Sequence, residues 1–164
     1  MRKIIVVLSL LAILAACSSI DCPLNHRVYT KYGLYQPDGK PDTLDNDTLW
    51  IWARRGNRVD TLVLNRLNGS TATSFELPIS YMQPEDTFFV LLGDETRHYY
   101  PDSIYVRKES FQHFESIDCQ ASYFHHVTSV RCMGNIIDSI VIINSDINYD
   151  KPKEHFRIYL DPDI

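Results

Sequence analysis

Hydrophobic residues are distributed in two different ways along this chain. From Ile4 to Ala16 they form one run of 13 residues, apolar except for Ser9. From residue 27 onward they fall in short clusters separated by turn residues. Phe75, Leu77 and Ile79 alternate with Ser74, Glu76 and Pro78, the period-2 signature of a strand with one buried face. Clusters rich in Val, Ile, Thr, Tyr, Phe and Trp predict strands over 27–35, 48–54, 58–65, 73–77, 87–92, 103–107, 123–131, 137–143 and 155–160. Arg55-Gly56-Asn57 predicts a hairpin turn. Residues 36–45 and 109–119 are expected as loops. No stretch of about 11 residues sustains a helical period. The pattern therefore predicts an all-β chain, a single β-sandwich of about eight or nine strands, immunoglobulin-like or transthyretin-like in topology.

The first block needs a separate account. Arg2 and Lys3 precede it, and it is too short for a membrane span of about 20 residues but suits a signal-peptide core of about 7–15. It ends in Leu14-Ala15-Ala16-Cys17, which resembles the lipobox of bacterial lipoproteins. The chemistry explains the spacing: small residues fit the lipoprotein signal peptidase, the Cys17 thiol accepts the diacylglyceryl group, and cleavage frees the Cys17 amine for acylation. The expected organisation is a signal peptide over 1–16, a lipidated tether over 17–25 and one sandwich domain over 26–164. Two or three acyl chains hold a protein stably, at about 0.8 kcal/mol per buried CH₂. The expected partners are thus a membrane, through the lipid, and another envelope protein.

Charge narrows the class. The chain has 16 basic and 21 acidic residues, a net charge of −5. Loss of Arg2 and Lys3 with the signal peptide takes the mature domain to −7. Phosphate backbones want basic stripes, so no nucleic-acid partner is expected.

One local pattern recurs at irregular intervals. Asp47-Thr48-Leu49-Trp50, Asp60-Thr61-Leu62-Val63, Asp86-Thr87-Phe88-Phe89, Asp102-Ser103-Ile104-Tyr105 and Asp138-Ser139-Ile140-Val141 all run Asp, hydroxyl, apolar, apolar. It predicts strand entries in which Asp accepts turn N–H groups. These carboxylates are turn formers on that reading, not catalysts.

Three cysteines remain once Cys17 is consumed by lipid. If 123–131 is one strand, its ends stand roughly 26 Å apart, whereas a disulfide needs Cα atoms within about 4.4–6.8 Å. Cys119–Cys132 is therefore excluded. Cys22 and Cys119 both end a Ser-Ile-Asp-Cys tetrapeptide outside the strands, and Cys132 suits a buried thiol on the face of Phe124 and Val130. The expected bridge is Cys22–Cys119, in an envelope that permits disulfides.

Three stretches carry a resemblance: Cys22-Pro23-Leu24-Asn25 with Val28-Tyr29-Thr30; His113-Phe114 with Ile117-Asp118-Cys119; and Ile137-Asp138-Ser139-Ile140-Val141-Ile142, Asn148-Tyr149-Asp150 and Lys153-Glu154-His155-Phe156. They resemble an uncharacterised family of small Bacteroidota lipoproteins. The resemblance implies an outer-membrane address and no activity. Surface-exported lipoproteins of that phylum carry an acidic run after the lipid cysteine. Here only Asp21 is acidic among residues 18–21, so the periplasmic face is expected. Asp42-Thr43-Leu44 is similar to that phylum's O-glycosylation acceptor, which makes Thr43 the candidate site.

The remaining candidate chemistry is thin. His125 and His126 are adjacent, so in a strand they point to opposite faces and cannot share a metal; His98 or His113 would have to come from another strand, and no Cys/His spacing matches a zinc site. Cys119 or Cys132 with His125 lacks a nucleophile motif. Asp38, Asp42, Asp45 and Asp47 depart from calcium-loop spacing. No metal, cofactor or enzymatic activity is expected. The chain has 2 tryptophans, 10 tyrosines and 7 phenylalanines. Trp50 and Trp52 share one strand face, and the plainer expectation places them in the core. If exposed, they and Tyr99-Tyr100 could stack on a sugar or a small ligand, or dock a protein. The expected function is a non-enzymatic envelope module that contacts another protein, with glycan or small-ligand binding as the alternative.

Overall fold

The computed structural model describes Cys22 and residues 27–44, 46–55, 58–69, 71–94, 96, 98–149 and 153–161, without the side chains of 55, 58–62, 65 and 66. The leader, Cys17 and the turn residues Gly56 and Asn57 lie outside the described residues.

Alternating apolar positions become ten strands among the described residues: β1 (Tyr29–Tyr35), β2 (Thr48–Arg55), β3 (Arg58–Asn68), β4 (Ser74–Pro78), β5 (Glu85–Gly93), β6 (Tyr99–His113), β7 (Ser122–Cys132), β8 (Ile137–Ile142), β9 (Asp146–Ile147) and β10 (Phe156–Leu160). They form two sheets, ordered β4-β1-β10-β8 and β3-β2-β5-β6-β7-β9. All neighbouring pairs are antiparallel except β1 and β10, which run parallel with Tyr32 opposite Phe156 and Leu34 opposite Ile158.

The sheets bury one face each against the other. Tyr32, Leu34, Phe75, Leu77, Phe156 and Ile158 supply the four-stranded side; Leu49, Ile51, Phe88, Val90, Leu92, Ile104 and Val106 supply the six-stranded side. Tyr32 is stacked between Phe75 and Phe156, with ring centroids 5.1 and 4.8 Å away. The chain is thus an all-β sandwich.

Two expectations need correcting. Residues 109–113 are not loop: β6 continues to His113, paired with β7 as far as Ser122. The polar run Arg107-Lys108-Glu109 hides this, because Lys108 is buried there by a partner far off in sequence. Its Nζ lies 2.5 Å from Asp86 Oδ2 and donates to the Gln83 carbonyl at 2.9 Å. Asp102 is likewise not an entry residue of its own turn, since it lies inside β6 and is buried, whereas Asp86, second in β5, accepts the Ser80 N–H of the connection before it, as the pattern expects. Asp102 reaches across to the β7–β8 connection. Its Oδ2 accepts the N–H groups of Asn135, Ile136 and Ile137 at 2.9–3.0 Å, and its Oδ1 those of Ser103 and Met133 at 2.6 and 3.0 Å. Burial alone would raise this carboxyl, but the N–H groups of Ile136, Ile137, Ser103 and Asn135 hold it below the usual carboxylate range. Asp47 does stand immediately before β2, as the pattern expects.

Cys22 and Cys119 are bonded, with Cα atoms 5.5 Å apart and a sequence separation of 97. Cys132 is free, half-buried at the end of β7 with its Sγ 3.4 Å from the Ile137 carbonyl.

Candidate functional site

β2 carries Leu49, Trp50, Ile51 and Trp52 in succession, and a strand can turn only alternate residues inward. Leu49 and Ile51 take the interior. Trp50 and Trp52 are half-buried on the outer face of the six-stranded sheet, not in the core where the plainer expectation put them. Register decides this. Trp50 lies opposite Leu91 and Trp52 opposite Phe89, while the β5 residues packed inward are Phe88, Val90 and Leu92.

The outer rows continue into β6, where Phe89 faces Ser103, Leu91 faces Pro101 and Gly93 faces Tyr99. At one end the rings of Trp50 and Tyr99 close over Gly93. A Cβ on Gly93 would stand 2.9 Å from Trp50 Cζ3 and 3.0 Å from Tyr99 Cε1, so the missing side chain is what lets both rings settle there. Their centroids are 6.1 Å apart and their planes 53° to each other. Tyr100 packs against the core from the opposite face of β6, so Tyr99-Tyr100 is not a paired platform. Beside these rows runs a shallow groove of about 270 Å³, lined by Trp52, Phe89, Leu91, Pro101, Ser103, Met133 and Asn135.

Charge borders the apolar surface. The Arg131 guanidinium sits 3.6 Å over the centre of the Tyr105 ring and donates to Glu85 Oε1 at 3.2 Å. Arg107 Nε is 3.6 Å from the other Glu85 oxygen. An aromatic and aliphatic centre with a charged rim is the anatomy of a protein-docking surface. A stacked sugar would instead want broad, coplanar rings, which a 53° tilt does not offer.

Among the described residues, a small cavity lies at the sheet interface. The cavity lined by Leu34, Leu44, Phe75, Ile104 and Ile136 holds about 10 Å³, the space of about one water.

The other candidates are dispersed. His125 is buried, with Nδ1 2.8 Å from Ser110 Oγ; burial first and the Lys108 charge second push it down to about 4. His126 points outward and meets Asp146 at 2.7 Å. His98 sits in an exposed turn with Asp94 and Thr96, and His113 stacks on Phe124 with centroids 4.3 Å apart. Cys119 is in the disulfide and cannot act as a nucleophile. Cys132 lies opposite Ile104 and His125 opposite Ser110, about 20 Å apart along β6. Burial also pushes the Cys132 thiol up. In the acidic loop, Asp38 is engaged by the Lys40 ammonium and backbone N–H, and Asp42 by Gln36 and the Thr43 N–H; Asp45 lies outside the described residues. Thr43 is half-buried, just before the buried Leu44. Among the described residues, no three His, Cys, Asp or Glu side chains converge as a metal site would require.

Pattern reading listed Trp50, Trp52 and Tyr99 but missed Phe89, Leu91, Pro101 and Met133. Their signal was present in the β5 run Phe88-Phe89-Val90-Leu91-Leu92, apolar on both faces of a strand that needs only one.

Residues 1–18 match a prokaryotic membrane lipoprotein lipid attachment site, which makes the chain a lipid-anchored membrane lipoprotein. No curated protein and no solved structure gives a significant match to the chain. Residues 48–160, spanning β2 to β10 and so the whole outer face just described, match the family of unknown function DUF6452, and the chain belongs to that family.

Proposed function

We propose that this lipoprotein is a non-enzymatic envelope module that docks a protein partner on the outer face of its six-stranded sheet. The observation that carries the reading is the outward row of Trp52, Phe89 and Met133 beside Trp50, Leu91 and Tyr99. An antiparallel sheet with one solvated face ordinarily alternates apolar inside and polar outside, and a contiguous exception marks an interaction site. The compartment that best fits the leader and the lone acidic residue at 18–21 is the outer membrane, on its periplasmic side. The acidic balance supports a partner other than nucleic acid. Thr43 is the proposed O-glycan acceptor; an intact mass equal to polypeptide plus lipid would end that part of the reading.

A photo-crosslinking residue placed at Trp52 in cells, with one at Val141 on the other sheet as control, tests the docking surface. A discrete protein adduct at 52 and none at 141 is expected. Trp52→Ala should weaken binding of the captured partner by about thirtyfold, the loss typical of a central aromatic anchor. The second reading, a glycan or small ligand in the 270 Å³ groove, would gain if the protein bound oligosaccharides with an affinity lost in Trp52→Ala, and no protein adduct formed.

A further inference from the structure

The end of the sandwich that carries the disulfide also carries exposed apolar side chains with no role in the outer face. Phe111 stands near the end of β6, and Phe114 and Ile117 follow in the β6–β7 connection; they are 52%, 56% and 96% exposed. Met82, 78% exposed, stands in the β4–β5 connection that reaches the same end, where Tyr81 stacks on Tyr123 at 4.3 Å. Burying none of these is costly for a free domain in water, unless something covers them.

Covalent geometry limits how far they can stand from the lipid anchor. Five residue steps from Cys17 to Cys22 span at most about 18 Å, and two more from Cys119 to Ile117 about 7 Å. Without the bridge, the first strand residue, Tyr29, would lie on a leash of about 43 Å. The Cys22–Cys119 bond, with Cα atoms 5.5 Å apart, therefore keeps Ile117 within about 30 Å of the acylated residue even at full extension. The far end of β6, at Tyr99, stands about 46 Å from the tip.

We propose that the β6–β7 tip makes a second, non-covalent contact with the bilayer that holds Cys17, with Phe114 and Ile117 entering its interfacial layer. The proposal rests on acylation of Cys17. Glu115 and Asp118 are exposed between and beside these residues, so the contact is apolar rather than electrostatic, and a bilayer rich in anionic lipid weakens it. Its effect is to fix which way the domain faces: tip down, with the Trp50–Tyr99 end raised toward the periplasm and open to a partner.

The test uses the full lipidated chain in phosphatidylcholine vesicles, with a photo-reactive phenylalanine at 117, at 114, or, as control, at 99. Adducts to phospholipid are expected at 117 and 114, in about tenfold excess over 99. Replacing phosphatidylcholine by a phosphatidylglycerol-rich mixture should lower the yield at 117. Equal yields at 117 and 99, or adducts at 117 to a second copy of the chain instead of lipid, overturn the contact. So does a tip-labelled protein that is acylated but gives no lipid adduct. Absence of acyl chains on Cys17, read by intact mass from the same sample, overturns the anchor and the contact together. Failure at Trp52 in the docking experiment leaves this outcome untouched.

Discussion

Lys108 and Asp86 form an ion pair at 2.5 Å between neighbouring strands of the six-stranded sheet, with the lysine side chain fully shielded from solvent. The Gln83 carbonyl accepts a second ammonium proton, and Ser80 N–H donates to the carboxylate at 3.3 Å. Burial outweighs the lysine and pushes the Asp86 carboxyl above its ordinary value. Such a pair is weak evidence for stability, but half of one is worse than none. Lys108→Met or Asp86→Leu alone should cost about 3–5 kcal/mol in urea unfolding, and the double variant should recover most of the loss. Single variants as stable as the parent would refute this account.

Acid should weaken the fold through histidine before it reaches most carboxylates. Burial and Lys108 hold His125 near 4, so the unfolded chain takes a proton from about pH 6.5 that the folded chain refuses until about 4. Stability is therefore lost as pH falls through that window, by up to about 3 kcal/mol from this residue. His155, whose Nδ1 accepts the Lys31 N–H at 2.9 Å, is lowered by burial and acts in the same sense. The raised Asp86 carboxyl acts in the opposite sense. His125→Gln, which keeps a polar group against Ser110, should flatten the slope between pH 6.5 and 4; an unchanged slope would show the assignment to be wrong.

Asp102 binds the β7–β8 connection to β6 through the N–H groups of Met133, Asn135, Ile136 and Ile137. In Asp102→Asn, whichever way the amide turns, its NH₂ group faces two or three N–H donors in place of an acceptor. A loss of at least about 2 kcal/mol is expected. Amide exchange should accelerate most at Ile136 and Ile137, and comparatively little at Tyr32, two strands from β8 in the same sheet. Equal acceleration everywhere would mean that Asp102 acts globally and not as a local clamp.

How far these features were legible varies with the physics behind them. Strand existence followed from short-range alternation, and β4 shows it cleanly, with Phe75 and Leu77 buried and Glu76 exposed. Strand length excluded only one pairing, because a continuous β7 keeps residues 119 and 132 apart; the choice between Cys119 and Cys132 as partner of Cys22 rested on which of them lies outside a strand. The orientation of Trp50 and Trp52 was not legible: Leu49 and Ile51 are as apolar as their neighbours, and only pairing with β5 decides which pair goes inside. Lys108 defeated the pattern because its partner is 22 residues away. β9, two residues long, offers no period to read.

Reduction should reveal the worth of the bridge. Closing a loop of 97 residues stabilises by about 4.7 kcal/mol in the chain-entropy model, an upper figure. Cys22→Ser should lower the urea midpoint and leave the native alkylation of Cys132 slow, since that thiol is half-buried and its ionisation is suppressed by burial. Cys22→Ser with an unchanged midpoint would show that the bridge adds position but not stability.

β1 lies between β4 and β10, paired in parallel with the last strand of the chain. A lipoprotein leaves the cytoplasm amino end first, so β1 must wait for some 120 further residues before its second neighbour emerges. The hairpins of the six-stranded sheet can close as they appear, but Tyr32 has no Phe156 to rest on until the carboxyl end has crossed. Threading the strand order this way makes the four-stranded sheet wait on β10: the hairpins can close locally, but the sheet that holds Tyr32 has no complete form before β10 exists.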